Sequence, residues 1–147
     1  MSGLKPFRWY VETGVAKKIS PNISRAKNLM QESERKESSL REILKKVGLS
    51  DSNANNIVEY CYDIIMMIVR AKLYIIGIKC SGTSSHEAEV SYLRELGFAD
   101  ADVRFADQLR FFRNGIKYYG KRIDSEYAKK TLDFLKKAYP KLKELIK

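Results

Sequence analysis

The stretch Ile57–Cys80, IVEYCYDIIMMIVRAKLYIIGIKC, decides the fold. Every residue from Ile64 to Val69 is apolar. A helix that is apolar nearly all round predicts burial on every side, as the centre of a bundle. It does not predict a membrane span. Glu59, Asp63, Arg70, Lys72 and Lys79 interrupt the run, and its longest uncharged segment falls short of the roughly 20 residues a bilayer needs. The polar run Ser50-Asp51-Ser52-Asn53 starts this helix, which is predicted to reach Cys80. Cys61 and Cys80 then lie about 28 Å apart along one helix, too far to bridge. Both read as free thiols in a reducing cytoplasm.

Upstream, residues 1–19 read as an extended arm anchored by Trp9 and Tyr10, with Gly14 and β-favouring residues arguing against a helix. Ser20-Pro21 reads as an N-cap followed by proline at the first helical position. The helix it opens runs to about Val47, with Ile23, Ala26, Met30, Leu40, Leu44 and Val47 at three-four spacing and Gly48 as its stop. Ser33 and Glu37 break that stripe and predict a poorly buried middle.

Downstream, Ser84-Ser85-His86-Glu87 matches a capping box for a short helix ending near Gly97. Asp100 is placed as the cap of a fourth helix, to Tyr119 and Gly120. Asp124-Ser125 opens a fifth, with Tyr127, Thr131, Phe134, Ala138, Leu142 and Leu145 on one face. Pro140 should kink or end it after Tyr139. No strand pattern, repeat or low-complexity linker is expected. The prediction is one all-α domain over 1–147, an up-and-down bundle of about five helices with a short N-terminal arm.

Charge is unevenly spread. Of a net +10, residues 113–147 hold 11 basic against 4 acidic side chains, whereas residues 53–112 hold 6 against 8. A basic pole of this kind attracts polyanions or an acidic partner; the alternative is a lysine-rich solvated face. With 44% apolar residues and three prolines, the chain is not a disordered basic tail. No charged-then-apolar leader opens it, so a cytoplasmic protein is expected.

The fourth helix has two faces. At about 100° per residue, Phe105, Leu109, Phe112, Ile116 and Tyr119 form one stripe, predicted to meet the core. Asp107, Phe111, Asn114 and Tyr118 fall on the opposite side, flanked by Arg110 and Lys117. Aromatic rings on an outward face leave two accounts open: another helix covers them, or two copies of the chain pair through them.

From Ile57 to about Leu142 the order of features is a long apolar helix, a short one opening with Ser85-His86, and a helix carrying Arg113-Asn114 that closes on a small turn. Its centre is Phe112-Arg113-Asn114-Gly115-Ile116-Lys117-Tyr118-Tyr119-Gly120. This layout resembles the HEPN family (higher eukaryotes and prokaryotes nucleotide-binding). In ribonuclease members of that family an arginine is followed, after four to six residues, by a histidine, and two copies meet to build a metal-independent site for cleaving RNA. By resemblance Arg113 matches the arginine and Asn114 the polar residue after it. Tyr118 takes the first permitted histidine position, with Tyr119 and Gly120 in the next two.

No histidine stands in that window. Histidine titrates near neutrality and passes protons both ways, whereas tyrosine, with a pKa of about 10, is a poor base at neutral pH. The resemblance therefore implies phosphate binding rather than cleavage. Arg110, Arg113, Asn114, Lys117 and Tyr118 would hold RNA or a nucleotide, and Asp107, Phe111, Asn114 and Tyr118 would form a homodimer interface. Arg113 and Tyr118 are the candidates for any catalysis that remains. Some family members are toxins paired with a minimal nucleotidyltransferase antitoxin that modifies a tyrosine just after the histidine; the corresponding position here is Gly120.

Two rivals stand beside this expectation. One is an active ribonuclease with Tyr118 or Tyr119 in place of histidine. The other is a structural or adaptor dimer in which Arg113 and Asn114 only tie helix ends together. One histidine and two separated cysteines make no metal cluster, and no glycine loop or nucleophile–histidine pair is evident. No cofactor is expected, and His86 reads as a local structural residue.

Overall fold

The computed structural model describes residues 3–146. Six helices and one two-stranded ribbon follow in the order α1 (Phe7–Glu12), β1 (Ala16–Lys18), α2 (Ile23–Lys46), α3 (Ala54–Ile76), β2 (Ile78–Cys80), α4 (Ser85–Glu95), α5 (Asp100–Tyr119) and α6 (Ser125–Leu145).

The apolar stretch does what its pattern demands. Ile57, Val58, Ile64, Ile65, Ile68, Val69 and Leu73 of α3 are all enclosed. Burying each such side chain contributes roughly 1.5–3 kcal/mol. Helices α2, α4, α5 and α6 each pack against α3, which is why it is apolar on most sides. From α6, Thr131, Phe134, Ala138 and Leu142 enter the core together with Ala128 and Leu135, while Leu145 stays largely exposed. Among the described residues no helix is long and apolar enough to cross a membrane.

Several expectations are corrected. The middle of α2 is not loosely buried: Ser33 is fully enclosed and its hydroxyl donates to the Ile64 carbonyl at 3.0 Å. A small side chain lets α2 approach α3 closely, and the hydrogen bond satisfies its one polar atom. The ends of the predicted stripe, Ile23 and Val47, are exposed. The cap of α2 is Asn22, whose side chain accepts from the Arg25 N–H at 3.0 Å, rather than Ser20. Ser84 makes no side-chain cap to α4, and Ala99 rather than Asp100 precedes α5. Asp124 does cap α6, accepting from the Tyr127 N–H at 2.8 Å.

Residues 1 and 2 of the N-terminal arm lie outside the described residues; from residue 7 the arm forms a short helix and then a strand. Phe7 and Tyr10, one helical turn apart, are buried and fold residues 7–12 into a short helix, while Trp9 between them faces outward. Beyond Gly14, β1 pairs antiparallel with β2, Ala16 opposite Cys80 and Lys18 opposite Ile78. The long helix therefore stops at Ile76, where Gly77 takes a left-handed conformation (φ 81°) open to few residues other than glycine. Cys80 lies in the ribbon, not in the helix. Both cysteines are free, and burial pushes both thiols up to about 12.

Helix α6 also runs through Pro140 instead of ending at Tyr139. Pro140 and Lys136, whose carbonyl loses its usual donor, are both exposed, so water can replace the missing bond. Leu142, fully enclosed one half-turn on, holds the helix against the core.

Candidate functional site

Helix α5 carries every residue singled out by the sequence, and the structure divides them between two surroundings. Its core contacts are Val103, Ala106 and Leu109. Phe105 and Phe112 are half-buried against α6, with ring centres 4.9 Å from Phe134 and 4.8 Å from Tyr127 respectively. Ile116 is half-buried, but Tyr119 is 79% exposed and leaves the predicted core stripe.

On the outer side, Phe111 is 60% and Tyr118 66% exposed, so no other helix of the chain covers them. They border an open groove of about 780 Å³ with Phe112, Asn114, Tyr119, Lys121 and Arg122. Its far rim is the link between α5 and α6, which is firmly placed. Asn55 donates to the Lys121 carbonyl at 2.9 Å and accepts from the Ile123 N–H at 2.7 Å. Asp51 accepts from the Ser125 N–H at 2.8 Å, and the Asp51 carbonyl accepts from Arg122 at 3.2 Å. Gly115 has no side chain to push away Lys121, which lies against it. The Lys117 ammonium sits 5.6 Å from the Tyr118 ring centre. Aromatic faces and cations thus share one surface.

The inner side is a set of charged contacts. Asp107, expected outward at an interface, is buried, and Arg110 donates to it at 2.9 Å. Arg110 also reaches within 3.9 Å of Glu87, which accepts from the Tyr10 hydroxyl at 2.6 Å. Arg113 turns inward as well. Its side chain is only 14% exposed, its guanidinium lies 5.5 Å from the Tyr62 ring centre, and Asp63 is 3.7 Å away. Arg70 of α3 grips both carboxylate oxygens of Glu89 on α4, at 2.7 and 2.8 Å. The faces differ from those that helical spacing predicts because Asp107 is drawn inward by its pairing with Arg110. Asp107 and Arg110 neutralise each other, and so tolerate burial.

Arg113 and Asn114 therefore do not serve one groove: Asn114 and Tyr118 border the outer one, and Arg113 faces α3. The inner set also includes Tyr62, Arg70, His86, Glu87 and Glu89, which sequence reasoning did not select. Arg70 was the available signal, a charge on an otherwise apolar helix that requires a partner. Among the described residues no group of three or more His, Cys, Asp and Glu side chains gathers as a metal site would need.

No family model matches the chain, and neither a curated protein nor a solved structure does. What the surfaces can do must be read from their chemistry. The outer groove offers stacking planes beside cations. The inner set offers hydrogen-bond donors held in fixed positions. Burial lowers the His86 pKa, its largest influence, and the nearby arginines act the same way against Glu89.

Proposed function

We propose that the chain is a HEPN-like helical protein that binds RNA or nucleotide phosphate at the exposed end of α5, with two copies meeting across this face. One observation carries the reading: Phe111, Tyr118 and Tyr119 stand in solvent around a groove whose rim bears Lys121 and Arg122. Nucleic-acid bases stack on aromatic side chains for roughly 1–3 kcal/mol each, and cations beside them hold the phosphates. The excess of positive charge over residues 113–147 draws a polyanion to this end. A merely solvated lysine face has no use for three wet aromatic rings.

Cleavage has less support than binding. Arg113 faces inward and Tyr118 outward, so the two do not converge within one protomer. A reducing cytoplasm suits the two unpaired thiols. A minimal nucleotidyltransferase is a partner by resemblance alone, with Tyr118 and Tyr119 the exposed hydroxyls it would reach.

Filter binding of single-stranded RNA across a salt series tests the reading. Binding that weakens steeply with salt is expected, because phosphate contacts release counterions. The Phe111→Ala/Tyr118→Ala double variant should lose at least tenfold. Sedimentation should show a dimer that Phe111→Asp dissociates. Undetectable RNA binding at low salt would overturn the proposal. It would favour the adaptor reading, which the inward stacking of Arg113 on Tyr62 supports.

A further inference from the structure

Three buried polar atoms have no hydrogen-bond partner among the described residues: Tyr62 Oη, His86 Nδ1 and Arg113 Nε. They come from three different helices, α3, α4 and α5, and they are neighbours. The His86 ring centre lies 6.4 Å from that of Tyr62, and the Arg113 guanidinium lies 5.5 Å from the same ring. Tyr62 and His86 also feel the same four charges, those of Glu89, Arg70, Arg110 and Arg113. Leaving such a group unpaired is costly, and folded proteins rarely gather three of them in one place.

The surrounding carboxylates are already engaged. Glu89 is held by Arg70, with its Oε1 3.8 Å from His86 Nδ1, beyond hydrogen-bond reach; Asp107 is held by Arg110, and Glu87 by the Tyr10 hydroxyl. Asp63 is divided between Arg113 at 3.7 Å and Lys36 at 4.0 Å. Arg113 is therefore the inner arginine with the least complete pairing. Tyr62 and Arg113 offer hydrogen-bond donors, and His86 offers a third in the Nδ1–H tautomer. The group that meets all three at once is an acceptor carrying several oxygens. His86 stands in the first turn of the eleven-residue α4, whose cap Ser84 makes no side-chain bond, so the positive end of that helix lies beside it.

We propose that Tyr62, His86 and Arg113 form an internal oxyanion site that takes one phosphate-sized tetrahedral anion. Tyr62 is 2% exposed, and His86, with its side chain 44% exposed, is the member that reaches solvent. Donors buried to this degree suit a free anion or a terminal phosphate, not a polynucleotide backbone lying along a surface. The site is independent of the outer groove and does not require a second protomer.

The chain has a single histidine, so its imidazole gives one isolated set of NMR signals. Inorganic phosphate titrated at constant ionic strength, with chloride as the control anion, should shift the His86 Cε1–H signal saturably and raise the imidazole pKa. Tyr62→Phe keeps the ring and removes only the hydroxyl; it should weaken the phosphate response at least tenfold, as should Arg113→Gln. A parallel titration with glycerol phosphate separates the two sources, because tighter binding of the monoester assigns the site to a terminal phosphate. An equal response to chloride, no saturation, or unchanged affinity in Tyr62→Phe would overturn the site. Tyr62→Phe leaves the outer groove intact, so RNA binding should persist in it, and failure of one reading is distinguishable from failure of the other.

Discussion

Arg70 and Glu89 form a two-pronged ion pair across the α3–α4 contact, with the Glu89 side chain only 4% exposed. Removing one partner strands a buried charge. Glu89→Ala should therefore lower unfolding free energy by roughly 3–5 kcal/mol in urea titration. The Arg70→Met/Glu89→Leu double variant should recover most of that loss, since it strands nothing.

Ser33 is fully enclosed where α2 packs on α3, bonded to the Ile64 carbonyl. Ser33→Ala frees the Ile64 carbonyl and should cost about 1 kcal/mol. Ser33→Leu must force the helices apart and should cost more, about 1–3 kcal/mol. Thermal denaturation of the two variants side by side checks the order. Equal stability would mean the contact is not tight.

Two glycines at φ near +80° separate backbone strain from steric clash. At Gly48 (φ 82°) an added Cβ meets nothing within 4 Å, whereas at Gly77 (φ 81°) it comes within 2.6 Å of the Ile19 carbonyl oxygen. Gly48→Ala should cost roughly 1–2 kcal/mol from the left-handed backbone alone. Gly77→Ala should cost clearly more and loosen the β1–β2 ribbon, seen as faster amide exchange at Ile19.

His86 makes stability depend on pH with a definite sign. Its folded pKa lies below the ordinary imidazole value of 6.5, chiefly because of burial. The unfolded chain then takes up the proton first, so stability is complete above pH 6.5 and falls as pH drops toward the lower folded value. His86→Gln should flatten this part of the pH profile. A wild-type profile that rises on acidification through that window would contradict the assignment.

How much was legible in the sequence follows from the physics of each element. The apolar run of α3 and the Asp124 cap were readable because periodicity and capping are local. So was the end of α5 at Gly120, where the backbone turns left-handed (φ 63°). Helix α1 and the ribbon were not, since six- and three-residue elements show no period and are held by distant partners. Pro140 misled because solvent exposure, invisible in sequence, decides whether a missing bond matters. At the candidate site, the exposure of Phe111 and Tyr118 was legible from helical spacing. The inward turn of Arg110 and Arg113 was not, because Glu87, Tyr62 and Asp63 stand on other helices, and Asp107 is buried with Arg110 as its partner.

The N-terminal segment carries a consequence for synthesis. Tyr10 meets Glu87 across 77 positions of sequence, and β1 waits for β2. During translation Tyr10 and β1 emerge before Glu87 and β2, the partners they join. The α2–α3 pair can assemble early from nearby partners, while the opening segment must stay unattached until α4 has appeared. In both contacts the earlier-made half thus waits for the later one.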